Sequence, residues 1–255
     1  MARDFLYLFP MDPQRQFVGK TALVTGASRG IGRAISEAFA RSGANLVIVA
    51  RTKSELGEAA ASCNRLGADV MAETIDLAQP AQIDVLFTKI RATDHNIDVL
   101  VNNAAILIKS PLESYQLADF QSMLAINVTA PMLLSQKVVP MMKQRDGGAI
   151  VNISSLSGCF GVQKFPGFGA YDMTKYALWG LTEMLALENM QNNIRVNQLS
   201  LSGVDTQMMR SASPPGVKAN LTAEQVAKHV LYLASNESEP LTGENIILTG
   251  MAPAR

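Results

Sequence analysis

From residue 21 almost to its end, the chain alternates between short, continuously apolar runs and longer stretches with helical spacing. No other feature restricts the fold as strongly. The apolar runs fall at 21–25 (TALVT), 45–50 (NLVIVA), 98–101 (DVLV), 149–153, 194–199 and 245–248, and 69–75 is read as a further strand. Helical stretches separate them at 31–41, 54–66, 79–91, 115–143, 171–190 and 223–234. In the first of these, Ile31, Ile35, Ala38 and Phe39 share one side. Gly67 stops the second, and Pro131 and Pro140 are expected to kink or break the long stretch at 115–143. Strands that are apolar throughout need cover on both faces, and strands joined through helices run parallel. The expected architecture is therefore α/β: a single, doubly wound parallel sheet of about seven strands with helices on both faces and right-handed crossovers. Such sheets bind ligands beyond the C-terminal ends of their strands.

No linker interrupts residues 18–255, which are read as one domain preceded by an N-terminal extension at 1–17. In that extension Phe5, Leu6, Tyr7, Leu8 and Phe9 lie between Asp4 and Pro10. The run is too short for a signal-peptide core. It is read as a tail docking its aromatics on the body or on another subunit, with a targeting or membrane-contact role as the alternative. No apolar run is expected to reach membrane-spanning length. With 48% apolar and 17% charged residues the chain is globular, and zero formal charge without a basic stripe argues against nucleic acid as a partner. Cys63 and Cys159 form no CxxC, and His95 and His229 lie far apart, so no metal cluster is expected. Two isolated cysteines suit a cytoplasmic protein.

Gly26, Gly30 and Gly32 occur in TGASRGIG, between the first strand and its helix. Glycines there allow positive φ, close approach of the backbone to a phosphate, and tight helix–strand packing, while the helix N-terminus offers free N–H groups to a pyrophosphate. The spacing is GxxxGxG rather than the usual dinucleotide fingerprint. At the end of the second strand an acidic residue would hold a free ribose hydroxyl; here Arg51 and Thr52 stand instead, and Arg29 precedes Gly30. Two guanidiniums suit a 2′-phosphate, so NADP (NADPH) is expected over NAD. Asp76 is either an adenine acceptor or a helix-capping aspartate. Asn102, Asn103, Ala104 and Ala105 follow the fourth strand, where small residues let a cofactor lie along the backbone.

Tyr171 and Lys175, in YDMTK, share a helix face at i and i+4. A free tyrosine titrates too high for easy proton exchange, and a neighbouring ammonium is expected to lower it. Tyr171 then becomes a general acid/base. Ser154 and Ser155 end the fifth strand (IVNISS), where the Ser155 hydroxyl can polarise a carbonyl that Tyr171 protonates.

Taken together, TGASRGIG, Asp76, NNAA, Asn127 in INV, Ser155, YDMTK and GVDT resemble the short-chain dehydrogenase/reductase family, in the family's order, over residues 19–248. The resemblance implies the same single-domain doubly wound (Rossmann) fold. It also implies hydride transfer between NADP(H) and a small carbonyl or secondary alcohol. Tyr171 would be the acid/base, Lys175 would hold the nicotinamide ribose, and Ser155 would position the substrate oxygen. Asn127 would interrupt its helix and hold a relay water. Val204 and Thr206 would contact the carboxamide, and Asn103 and Ala104 the adenosine ribose. Ser28, Ile31, Leu77 and Ala105 complete the cofactor candidates. A homodimer or homotetramer would form through the helices at 115–143 and 171–190.

Some residues depart from the family pattern. NNAA replaces NNAG, and Ser202 precedes Gly203 where proline is usual. About three extra residues lie between Ser155 and Tyr171, in GVQKFPGFGA, and should border the pocket with Lys164, Phe165 and Phe168. The segment after Thr206 is short, which leaves the pocket either open or closed by a partner chain or by the N-terminal tail. Ile106, Leu107, Ser157, Phe160, Phe165 and Met208 are the candidate lining. An NADP(H)-binding sensor or scaffold with little turnover is the competing reading.

Overall fold

The computed structural model describes residues 16–93, 95–214 and 216–250; the aromatic run at 5–9 lies outside them. Seven strands form one sheet: β1 (Thr21–Thr25), β2 (Asn45–Ala50), β3 (Val70–Thr74), β4 (Ile97–Asn102), β5 (Gly148–Ser155), β6 (Ile194–Leu201) and β7 (Asn245–Leu248). Their order is β3-β2-β1-β4-β5-β6-β7, and every pair is parallel. The order reverses between β1 and β4, which opens a crevice at their C-terminal ends.

Alternating side chains explain the two covered faces. Ala22 and Val24 of β1, with Leu46 and Ile48 of β2, pack under α1 (Gly30–Arg41), α2 (Lys53–Arg65) and, further along the chain, the last helix at Ala223–Ala234. Leu23 points the other way. With Val47, Leu100, Ile150 and Val196 it meets α3 (Pro80–Arg91), α5 (Ala130–Lys143) and α6 (Gly169–Asn189). Phe17 joins the first core, edge-on to Phe39 at 4.9 Å between ring centroids.

The stretch at 115–143 breaks, but not at its prolines. It divides into α4 (Leu117–Leu124), a π-helical turn at Ala125–Thr129, and α5. Pro131 is the second residue of α5, directly after the π turn. Pro140 lies inside α5; it and Gln136, whose carbonyl loses a helical donor, are both exposed, so water can satisfy that oxygen. By length and composition alone the 27 residues Leu117–Lys143 suffice to cross a membrane, contrary to the expectation from sequence. Leu134, Val138 and Met142 are instead buried against the sheet. After β6 the chain forms a six-residue helix, α7 (Gln207–Ala212), before α8 (Ala223–Ala234), so the short segment after Thr206 is folded.

Candidate active site

The glycine turn is built by backbone demands. Gly26 and Gly30 have φ of +65° and +56°, the left-handed region that favours glycine. A Cβ on Gly32 would lie 2.2 Å from the Gly26 carbonyl oxygen and 2.6 Å from Asn103 Nδ2. Asn103 braces the turn: its Nδ2 donates to the carbonyls of Thr25 (2.8 Å) and Gly26 (3.3 Å). The Thr25 hydroxyl accepts from the N–H groups of Asn103 (2.9 Å) and Ala104 (3.0 Å) and donates to the Val101 carbonyl. Sequence reasoning misses Thr25; a hydroxyl on the last residue of a buried strand is the available signal. Arg29, the N-cap of α1, makes no side-chain cap, and the first turn carries no acid. The N-terminal N–H groups around Ile31 are therefore free of side-chain acceptors. Asn102 turns inward, donating to Asn152 at 2.8 Å, while Ala105 stays partly exposed beside Ala104.

On the side where β2 ends, Arg29 does not stand as a free cation. Its guanidinium lies 3.5 Å from Glu55 Oε1, and the Ser28 hydroxyl donates to Glu55 Oε2 at 3.2 Å. Glu55 sits in the first turn of α2, and no local pattern links that turn to the glycine loop. Arg51 and Thr52 are exposed at the strand end. Asp76 Oδ1 accepts from the Ala78 N–H at 3.1 Å, closing a local turn ahead of α3, whose N-cap is Gln79. Leu77 is buried with the α3 side chains.

Ser155, Tyr171 and Lys175 converge at the C-terminal end of β5. Ser155 is its last residue, and its hydroxyl accepts from the Ser157 N–H at 3.2 Å. Tyr171 lies in the first turn of α6 and Lys175 one turn on; both are buried. Lys175 Nζ is 5.6 Å from the centroid of the Tyr171 ring and donates to the Ile153 carbonyl at 3.0 Å. Burial holds the Tyr171 phenol well above its ordinary value; the Ser155 hydroxyl pulls it down and the Asp172 carboxylate pushes it up. Burial also brings the Lys175 ammonium down to about 8. In this arrangement desolvation sets the direction for both groups, and Lys175 is not among the groups that act on the Tyr171 phenol.

Asn127 is the centre of the π turn and is buried. Its Oδ1 accepts from the Ile106 N–H (2.9 Å), and its Nδ2 donates to the Ile106 carbonyl (2.9 Å) and the Thr174 hydroxyl (3.1 Å). The side chain thus ties the loop after β4 to the helix turn that carries Tyr171 and Lys175. Val204, buried, bridges to Leu221, and Thr206 caps α7 through the Met209 N–H. This fold brings Thr206 Cγ2 within 3.4 Å of a Cβ built on Gly30, so the segment after β6 closes over the glycine turn.

Three loops meet above Tyr171. Ile106, Leu107 and Phe168 pack around Met123, Ala170 and Tyr171, with the Phe168 ring edge-on to Tyr171 at 6.4 Å. The Ser110 N–H donates to the Gly167 carbonyl, and Lys109 Nζ, 5.1 Å over the Phe168 ring, donates to the Ala212 carbonyl at the end of α7. Phe160 is 96% exposed and so cannot line a pocket in this chain, and Phe165 and Met208 are exposed in part. Among the described residues no three His, Cys, Asp or Glu side chains are grouped to hold a metal.

A family model described as short chain dehydrogenase matches residues 20–215. The 3-oxoacyl-[acyl-carrier-protein] reductase of Escherichia coli (strain K12) is 34% identical over 243 residues, spanning 92% of this chain and 97% of that protein. A 3alpha-hydroxysteroid dehydrogenase of Mediterraneibacter gnavus is 32% identical over 245 residues, spanning 91% and 96%. Among solved structures, a gluconate 5-dehydrogenase from Burkholderia cenocepacia, in complex with NADP and tartrate, superposes with a TM-score of 0.84 at 25% identity, covering 94% of this chain and 96% of that one. Fold, sheet order and sequence similarity agree: the chain belongs to the short-chain dehydrogenase/reductase family.

Proposed function

We propose that this oxidoreductase transfers a hydride between NADP(H) and a carbonyl or secondary alcohol with an apolar part, using Tyr171 as the proton donor and acceptor. The observation that carries the reading is the convergence of buried Tyr171, Lys175 and Ser155 at the sheet's switch point, beside a braced glycine turn. The residues fit a dinucleotide. Gly26, Gly30 and Gly32 leave no Cβ in the turn, and the uncapped start of α1 has N–H groups for a pyrophosphate. Asn103 and Ala104 are assigned to the adenosine ribose, and Val204 and Thr206 to the carboxamide. When bound, the nicotinamide supplies or accepts the hydride.

The protein's own part is to hold and move the proton. Burial keeps Tyr171 protonated, which suits donation to a carbonyl oxygen. The Ser155 hydroxyl, oriented by the Ser157 N–H, shares that oxygen. Lys175 supplies positive charge beside the phenol as its proton leaves. Asn127 fixes the spacing between the loop after β4 and α6. A panel of ketones, aldehydes and alcohols assayed by cofactor absorbance tests the reading; tight NADPH binding without turnover across a broad panel would favour a sensor.

Because Lys175 titrates near 8, its charge is lost within the assayable range. The kcat/KM for reduction should be level on the acid side of that value. Above it the rate should fall about tenfold per pH unit as the ammonium deprotonates. A profile flat through that region counts against Lys175 as the charge that assists Tyr171.

The preference for NADP rests on Arg51 and Arg29, with Glu55 opposing a 2′-phosphate and partly occupying Arg29. Glu55→Gln is expected to tighten NADPH binding by up to about fivefold, the worth of one exposed ion pair, and to change NADH binding less. Fluorescence titration measures both; tighter binding of NADH than NADPH by the unaltered protein would reject the preference. Leu117 and Met132, on α4 and α5, and Met173, Met184 and Leu187, on α6, are exposed in the single chain. They support a homodimer or homotetramer built on these helices. Two free, buried cysteines fit the cytoplasm.

A further inference from the structure

Lys164 belongs to the extra residues between Ser155 and Tyr171, and its ammonium is fully engaged. Nζ donates to the carbonyls of Leu156 (3.0 Å), Ser157 (2.7 Å) and Cys159 (2.7 Å). It also lies 5.0 Å over the Tyr176 ring, and the Tyr176 hydroxyl donates to the same Cys159 carbonyl at 2.9 Å. These carbonyls belong to the single 3₁₀ turn at Leu156–Gly158 and the residue that ends it. So short a turn has few bonds of its own and leaves carbonyls without partners. Asp172, buried on α6, faces the same turn, with the Ser157 hydroxyl and the Lys164 charge both acting on its carboxyl.

The inner side of the turn touches the catalytic residues. Ser155 caps it, accepting from the Ser157 N–H. Gly158 is pressed on the backbone of Lys175; a Cβ there would lie 2.7 Å from the Lys175 carbonyl oxygen. A shift of the turn therefore moves the Ser155 hydroxyl and disturbs the helix turn that holds Lys175 and Tyr171. We propose that Lys164 is a positioning residue for the reaction: its ammonium gathers three carbonyls of the Leu156–Cys159 turn and thereby sets Ser155 against Tyr171. The inference rests on the proposed oxidoreductase reading for its catalytic consequence, but the clamp itself can be tested without turnover.

Cys159 is the reporter. It is buried in the clamped turn, while Cys63 is buried in the core with its thiol pushed up to about 11 by desolvation, so that it stays slow to react. Lys164→Met keeps the length of the side chain and removes its charge and donors. It is expected to speed labelling of Cys159 by a small disulfide reagent about tenfold or more. Displacement of reacting groups by about 1 Å can cost 10²-fold, so kcat should fall about tenfold or more, with substrate KM and NADPH Kd within twofold. Lys164→Arg should restore part of both. Tyr176→Phe, which removes one donor from the Cys159 carbonyl, serves as a milder variant if Lys164→Met fails to fold, with a smaller change in the same direction. Unchanged labelling overturns the clamp, whatever the substrate. Faster labelling with unchanged kcat overturns the positioning role. If the unaltered protein turns over no compound in the panel, it is the oxidoreductase reading that fails, and labelling alone decides the clamp.

Discussion

Tyr171→Phe is expected to slow turnover by about 10²–10⁴-fold, the range that a positioned acid/base contributes. NADPH binding should stay within a few-fold of the unaltered protein. The two effects separate because of what the substitution keeps. The ring remains, edge-on to Phe168 and buried beside Ala170 and Met123, so the packing under the three loops is preserved. Only the hydroxyl that faces Ser155 is removed, and with it the proton. Single-turnover rates paired with cofactor titration measure the split. A Phe variant that keeps most of its rate would refute Tyr171 as the acid/base. A large loss of NADPH binding would show that the hydroxyl serves the cofactor instead.

Gly32→Ala should have the largest effect on cofactor binding. The added Cβ would meet the Gly26 carbonyl oxygen at 2.2 Å and the Asn103 amide at 2.6 Å, and neither can yield cheaply. The Gly26 carbonyl is backbone, and Asn103 is already bonded to Thr25 and Gly26. To accept the methyl, α1 must move away from the turn or the turn must open. Overpacking of this kind costs about 1–3 kcal/mol of stability. It should also spoil the approach of the α1 N–H groups to a pyrophosphate, weakening NADPH binding by about 10²-fold or more. That figure corresponds to about 2.7 kcal/mol, from 1.36 kcal/mol per factor of ten. Thermal unfolding and NADPH titration on the same sample measure both. Unchanged binding in the Gly32→Ala variant would mean that the cofactor does not use this turn.

The legible part of the structure was the part fixed by local period. Each apolar run became a strand, and the helix at Ala223–Ala234 and the strand at Asn245–Leu248 match the expected limits. Thr222 and Gln225 show why the helix begins where it does, since they form a reciprocal capping box. The long helix is interrupted at Asn127, where the family resemblance puts it, and not at the prolines, because proline is a visible local signal and a π turn is not. Asn127 widens the helix through side-chain bonds to Ile106 and Thr174, partners remote in sequence. Glu55 beside Arg29 is hidden for the same reason, whereas the carbonyls that Lys164 gathers are near in sequence but follow no regular period. The sign of the effect on Tyr171 was hidden too. Spacing places Lys175 near the phenol, but burial decides how strongly either group holds its charge, and depth is a property of the folded sheet.

The strand order also bears on how the chain reaches this state. Thr21 pairs with Ile97 and Val99 with Ala149, so the centre of the sheet joins segments that are synthesised far apart. Such long-range parallel pairing folds slowly, because loop closure precedes any gain from contact. As the chain leaves the ribosome, β1, β2 and β3 can assemble while β1 still waits for β4. During that interval the edge of β1, flanked by Leu23 and Val24, is an unpaired apolar template. Fragments ending before Ile97 should therefore aggregate where the whole chain stays dispersed, and the centre of the finished sheet is the most vulnerable surface of the nascent one.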